Sequence, residues 1–322
     1  MTESAAARDV DQAEEAVLAV LAGTTIEDAA RHTGIPTTHL AENLERYRAA
    51  GRAALETHPR GWHQLNIQFT HYPTAAASFH VHLLPALTTA PVSSWWFLRK
   101  HPQWRLRVHP AADAATEDAA THLAKALDRA VTRGAVKNWR HGPYEPETTA
   151  FGGPAGMALA HDLFHVDSAG ILDYEHRTAQ EQPGLPGAKT TSLLAMTLLM
   201  RAARLEFGEQ GDVWAQVEQH RPLTANVPLD GIENMRAPLR RLLLTDADPL
   251  LTHGPLTSIR PWLDALQRSG AALANAAGEG QLALGLRGVL ARHVLFHWNR
   301  MGFTTRQQSI WSRAAREAVL GP

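Results

Sequence analysis

Four cationic side chains crowd one short stretch of this sequence: Arg99, Lys100, Arg105 and Arg107, set among Trp95, Trp96 and Trp104. Guanidinium groups pair bidentately with carboxylates, which would suit a peptide or carboxylate groove. Bases interleaved with aromatic rings also suit single-stranded nucleic acid, and a strand with a solvated cationic face and buried tryptophans gives the same pattern with no site at all. Trp96, Lys100, Arg105 and Arg107 are the substrate-binding candidates of this stretch. Tyr144-Glu145-Pro146-Glu147 sets two carboxylates before a glycine turn. Either acid would serve as a proton-transfer group if buried near arginine, and both would be ordinary surface acids if not. His293 and His297 lie four apart on an expected helix, followed by Asn299-Arg300. Imidazole suits proton transfer near neutral pH, although a histidine in so apolar a helix (HVLFHWNR) is often a core residue with one satisfied nitrogen.

Two further motifs carry less. His161 and His165 in HDLFH share a helix face at metal-ligand spacing, but no third ligand is identifiable and Asp162 is shorter than the glutamate of the zinc-protease helix, so no metal is expected. Phe151-Gly152-Gly153-Pro154-Ala155-Gly156 precedes a helix and offers backbone N–H groups to an anion; it matches neither dinucleotide nor P-loop spacing and reads better as a turn into a proline-started helix. A GxSxG nucleophile elbow is absent.

The elements that must position these groups follow from periodicity. Residues 1–57 read as three amphipathic helices resembling a helix-turn-helix. Ten acids against five arginines over residues 1–56 oppose phosphate binding, so the module is expected to pack or to dock a peptide rather than bind DNA. From Trp62 onward, His63, Leu65, Ile67 and Phe69 alternate with Gln64, Asn66 and Gln68, the period of a half-buried strand. A helix over 74–84 stopping before Pro85, strands over 92–99 and 104–108 joined as a hairpin, a helix over 116–132 and a strand over 136–140 complete an α+β pattern with a mixed or antiparallel sheet. On the second hairpin strand Arg105 and Arg107 share one face, and Trp104, Leu106 and Val108 the other. Helices are expected over 154–177, 190–207, 231–245, 258–276, 281–298 and 304–318, with loops over 181–189 and 222–228. The domains are thus a helical module over 1–57 and an α+β unit with a helical C-terminal half over 58–322.

Composition narrows the class. The 322 residues carry 31 Lys+Arg against 32 Asp+Glu and no cysteine, which removes disulfide frameworks, thiolate metal sites and a cysteine nucleophile. Near-zero net charge gives no global pull toward nucleic acid or anionic lipid. Apolar runs are too short to span a membrane, and an acidic start does not suit a signal peptide, so a cytoplasmic location is expected.

Five strings, in order over residues 62 to about 319, resemble the stand-alone thiopeptide-type bacteriocin biosynthesis proteins and, through them, the C-terminal elimination domain of class I lantibiotic dehydratases. They are Trp62-His63-Gln64-Leu65-Asn66-Ile67; Trp95-Trp96-Phe97-Leu98-Arg99-Lys100 with Trp104-Arg105-Leu106-Arg107; Tyr144-Glu145-Pro146-Glu147 through Gly153; Leu163-Phe164-His165-Val166-Asp167-Ser168; and Phe296-His297-Trp298-Asn299-Arg300. The resemblance implies elimination of glutamate from glutamylated Ser or Thr of a leader-bearing precursor peptide, leaving a dehydroamino acid, with a separate glutamylating dehydratase as partner and no organic cofactor. Such chemistry needs a cation for the departing carboxylates, a base for the Cα proton and a dipole for the enolate. By the same resemblance Arg99, Glu147 and His297 are the catalytic candidates, with His293 and Arg300 beside the substrate. A second copy of the chain is a further candidate partner, as a homodimer.

One departure matters. Elimination domains read Glu-x-x-Arg-Tyr-Gly-Gly, whereas this chain has Glu147-Thr148-Thr149-Ala150-Phe151-Gly152-Gly153. Ala150 thus replaces a guanidinium whose charged hydrogen bond would be worth roughly 1.5–3 kcal/mol. The resembling pyridine synthases, which join two dehydroalanines by formal aza-[4+2] cycloaddition and then lose water and the leader, expel no glutamate and tolerate that loss better. A non-catalytic scaffold for the leader or for a dehydratase is the third alternative. Arg99 and His297 tip the expectation toward elimination.

Overall fold

The three amphipathic segments at the start of the chain fold as α1 (Glu3–Leu21), α2 (Ile26–Thr33) and α3 (Thr37–Thr57) in a computed structural model that describes residues 3–57, 61–112, 116–182, 184–224 and 229–322. Thr25 caps α2 by accepting the Asp28 amide, and Gly34 ends it at φ 72°, where a Cβ would be strained. Ala16, Val17, Ala29, Ala30, Leu40 and Leu44 give these helices a core of their own. By contacts the chain divides into two compact units, Met1–Arg60 and Gly61–Pro322.

The second unit begins with β1 (His63–Phe69), α4 (Ala75–His82), α5 (Leu84–Thr89), β2 (Val92–Lys100), β3 (Gln103–Pro110), α6 (Thr116–Thr132) and β4 (Val136–Gly142). The sheet runs β2-β3-β1-β4 and every pair is antiparallel, the split β-α-β-β-α-β arrangement. Strand alternation sends Leu65, Ile67, Phe97, Trp104, Leu106 and Val108 into one core with Phe79 of α4 and Leu123 and Leu127 of α6. Phe97 and Trp104 stack there at 4.6 Å. The opposite face carries Gln64, Asn66, Arg105, Arg107 and Arg140, which register across β3, β1 and β4 as Arg107–Gln64–Gly142 and Arg105–Asn66–Arg140.

The helical half comprises α7 (Gly153–Ala179), α8 (Ala188–Ala202), α9 (Phe207–His220), α10 (Leu229–Leu244), α11 (Asp248–Thr252), α12 (Arg260–Gly278), α13 (Leu286–Arg300) and α14 (Thr305–Leu320). Gly152, at φ 84°, and Pro154 turn the chain into α7. That helix closes the outer edge of β2. The Phe97 N–H donates to Ser168 Oγ at 3.2 Å, and His165 Nδ1 lies 2.9 Å from the Trp95 carbonyl oxygen. An edge strand whose backbone groups are engaged this way cannot pair with another strand.

The α+β architecture and antiparallel sheet match the sequence reading, while several helix bounds differ: the helix expected from 281 begins at Leu286, and α11 lies between expected helices. Pro85 does not merely stop a helix: it occupies the first turn of α5, where its missing N–H costs nothing. The helix expected over 190–207 ends at Ala202, because Arg204 takes a left-handed conformation (φ 63°) and the Glu206–Glu209 capping box starts α9 anew. Of the loop expected over 222–228, residues 225–228 lie outside the described residues. Among the described residues no helix is long and apolar enough to cross a membrane.

Candidate active site

The polar face of the sheet forms one wall of a cleft. Its mouth, about 650 Å³, is lined by Gln64, Asn66, Arg105, Arg107, Arg140 and Glu147 among others. A narrower recess of about 90 Å³ shares Arg105, Arg107, Glu145 and Glu147 with the mouth and is floored by Trp96, Phe151, Phe164 and Phe296.

Arg107 is the pivot. Its Nε donates to Gln64 Oε1 at 2.9 Å, and Gln64 Nε2 donates to Asn66 Oδ1 at 3.2 Å, so a polar chain crosses from β3 along β1. Its guanidinium lies 4.1 Å from the Trp96 ring and 4.9 Å from the Tyr144 ring. Only 6% of the residue is exposed; the side chain borders the cleft, while its Nη1 is buried with no hydrogen-bond partner. Burial lowers its pKa to about 10, leaving it a cation at neutral pH. Asn66 reaches over β4 only because residue 142 is glycine: a Cβ there would come within 2.3 Å of Asn66 Nδ2. Beside Arg107, the Tyr144 hydroxyl is 2.7 Å from His161 Nε2. Burial, reinforced by His109 and Arg107, brings the His161 pKa down to about 4, so this imidazole is neutral. Burial pushes the Tyr144 hydroxyl up.

A second polar cluster lies behind the floor, wholly closed off. Asp167 of α7 accepts from Trp262 Nε1 at 3.1 Å, from His297 Nδ1 at 3.0 Å and from Arg300 Nε at 2.7 Å. His297 Nε2 is 2.9 Å from Ser192 Oγ, which also accepts from Trp298 Nε1. Burial alone would raise the Asp167 carboxyl, but His297 and Arg300 outweigh it and hold it well below the usual carboxylate range. His293 is fully buried too; burial, helped by Arg300, lowers its pKa to about 3. This Ser–His–Asp alignment joins α7, α8 and α13 and has no exposed atom to meet a substrate.

The expected site residues therefore separate into three places. Trp96, Lys100, Arg105, Arg107 and Glu147 meet in the cleft. Arg99 does not join them. It shares the face of Phe97 and Trp104, lies 4.6 Å from the Trp104 ring, and donates through Nη2 to both carboxylate oxygens of Glu175 at 2.7 Å. His293, His297 and Arg300 are fully buried behind Phe164, with the Arg300 guanidinium 4.8 Å from that ring. His161 and His165 also diverge, one to Tyr144 and the other to β2, and among the described residues no three His, Asp or Glu side chains converge on a metal position. Gln64, Asn66 and Arg140 were not singled out as site residues, though strand alternation puts Gln64 and Asn66 on the polar face. Asp167, Ser192 and Glu175 gave no local signal, since their partners lie 76 to 133 positions away.

The family described as lantibiotic biosynthesis dehydratase C-term matches residues 62–319. The chain belongs to that family. Solved structures share its fold, among them these three. One is the tRNA-dependent lantibiotic dehydratase MibB from Microbispora sp. 107891, at 17% identity and TM-score 0.57, covering 81% of this chain but only 28% of MibB. A second is TsrL, at 18% identity and TM-score 0.53, covering 79% of this chain and 93% of TsrL. The third is the pyridine synthase TbtD from thiomuracin biosynthesis, at 14% identity and TM-score 0.56, covering 80% of this chain and 97% of TbtD. None of the curated proteins matches this sequence. At such identities the likeness to solved structures is one of fold, and that fold is found both in a lantibiotic dehydratase and in a pyridine synthase.

Proposed function

We propose that the chain is a peptide-tailoring lyase that eliminates glutamate from glutamylated Ser or Thr of a leader-bearing precursor, working with a separate glutamylating dehydratase. The observation that carries this reading is the Arg107 guanidinium, held by Gln64 over Trp96 at the wall of a cleft that also bears Arg105 and Arg140. A cleft wall of three guanidinium groups is matched to a carboxylate, and glutamate leaves as one. Glu147 is exposed rather than buried, but it lies at the junction of mouth and recess beside Arg107, and in this reading it takes the Cα proton. The electron pair of that C–H bond forms the new C=C bond, and the Cβ–O ester bond breaks with its pair leaving on the glutamate carboxylate. No oxidant or reductant is consumed. In this reading Arg99 and His297 hold the frame, and His293 and Arg300 sit behind the floor.

Ala150 favours a second reading, pyridine formation from two dehydroalanines, because the 3-10 turn over Thr148–Phe151 brings no guanidinium to the recess. Mass spectrometry separates the two. A glutamylated precursor loses glutamate under the first reading; a precursor already carrying two dehydroalanines loses water and its leader under the second. No change in either, with the leader still bound, leaves only a scaffold.

A further inference from the structure

The two edges of the sheet are treated differently. The outer edge of β2 is closed by Ser168 and His165 of α7. The outer edge of β4 is left open, since no strand pairs with it among the described residues. An open edge presents a row of free N–H and C=O groups, which proteins usually cover or interrupt. Here β4 contains no proline. Its one irregularity, a register shift opposite Gln68 and Phe69 that leaves Lys137 without a β1 partner, precedes a regular run from Asn138 to Gly142. Lys137, Asn138, Arg140 and His141 are all exposed. The same strand is the rim of the cleft, because Arg140, His141 and Gly142 line its mouth.

We propose that β4 is the docking edge for the peptide substrate: an extended, acidic segment of the precursor adds to it as a fifth strand and delivers the neighbouring residues into the cleft. Main-chain hydrogen bonds to an edge strand give affinity with little sequence demand, and alternate side chains then meet the surface beside it. Lys137 and Arg140 set the sign of the preferred partner. The inference rests on a peptide being the substrate, but not on which reaction the cleft performs.

The test uses a blocked peptide of alternating Glu and Val, the same peptide with Lys for Glu, and the acidic peptide N-methylated at alternate amides. Hydrogen exchange of the full chain with the acidic peptide should slow alternate amides of residues 137–142, and N-methylation on the pairing side should abolish that protection. The Lys peptide should bind more weakly, and Lys137→Glu should weaken the acidic peptide by roughly five-fold, the scale of one exposed ion pair. Binding of the acidic peptide without protection of β4, protection over the α4–α6 surface instead, or equal affinity for both peptides would overturn the proposal. Protection of β4 in a protein that releases no glutamate from a glutamylated precursor would retain the docking edge and discard the elimination reading.

Discussion

The guanidinium groups of Arg99 and Arg107 leave the same β-ribbon on opposite faces of the sheet: one is clamped by Glu175 and Trp104, the other is held by Gln64 over Trp96. On β2, position 99 has the parity of Trp95 and Phe97, while on β3 position 107 has the parity of Arg105. The cationic cluster seen along the sequence is therefore two features. Only the part contributed by Lys100, Arg105 and Arg107, joined by Arg140 from β4, faces the cleft.

Replacing Arg99 by Ala should lower stability by about 1–2 kcal/mol, through the lost ion pair and the cation–ring contact. The KM for a peptide substrate should not change. Urea unfolding and steady-state kinetics on the folded variant check both halves; a raised KM at unchanged stability would put Arg99 back in the cleft.

Asp167→Asn should be far more damaging. It leaves the fully buried Arg300 without its counter-charge, a loss of about 3–5 kcal/mol when one partner of a buried pair is removed. A large fall in the denaturation midpoint is expected. Full stability with lost turnover would instead assign the Asp167–His297 pair to chemistry.

Stability should fall with acid from about pH 6.5 downward, the unfolded histidine value. His161 and His293 are held at about 4 and about 3 in the folded protein, so the unfolded chain takes up protons first and each contributes a slope of at most about 1.4 kcal/mol per pH unit in that window. Their contribution is complete above pH 6.5 and lost as pH falls through the folded values. Asp167 has the same sign and adds to the loss only below its unfolded value of about 3.9. His161→Gln should flatten the profile between pH 6.5 and 4 in pH-resolved urea melts, and an unchanged slope would refute the buried neutral imidazole.

Gly142→Ala should disturb the cleft from beneath. The added Cβ would meet Asn66 Nδ2 at 2.3 Å and displace the Gln64–Asn66 chain that orients Arg107. Overpacking of this kind costs about 1–3 kcal/mol, and the KM for peptide substrate should rise in the folded variant. A thermal melt paired with a KM measurement decides it: a shifted melt with unchanged KM would show that the chain is packing only.

Much of the frame was legible because it is local. Alternation in Gln64–Phe69 and in Trp104–Val108 gave the strands and their faces, and the helix of residues 116–132 has the bounds read from its periodicity. The site was legible where one strand decides it, at Arg105 and Arg107. It was not legible where chain segments meet from afar. The partner of Arg99 is Glu175, and Asp167 gathers His297 and Arg300 from more than a hundred positions away. For His297 the apolar run around it was the better guide: a helix apolar on nearly every side is buried, and its histidine with it.

The most direct measurement is glutamate release from a glutamylated precursor by the native protein and by Arg107→Lys, followed by mass spectrometry. Lysine keeps the charge but loses the fork that bonds Gln64 and an incoming carboxylate together. The native protein should release glutamate and leave a dehydroamino acid, and the folded variant should be slower by roughly 10- to 150-fold, the equivalent of about 1.5–3 kcal/mol. Undiminished turnover by Arg107→Lys would contradict the carboxylate role given to this face of the sheet.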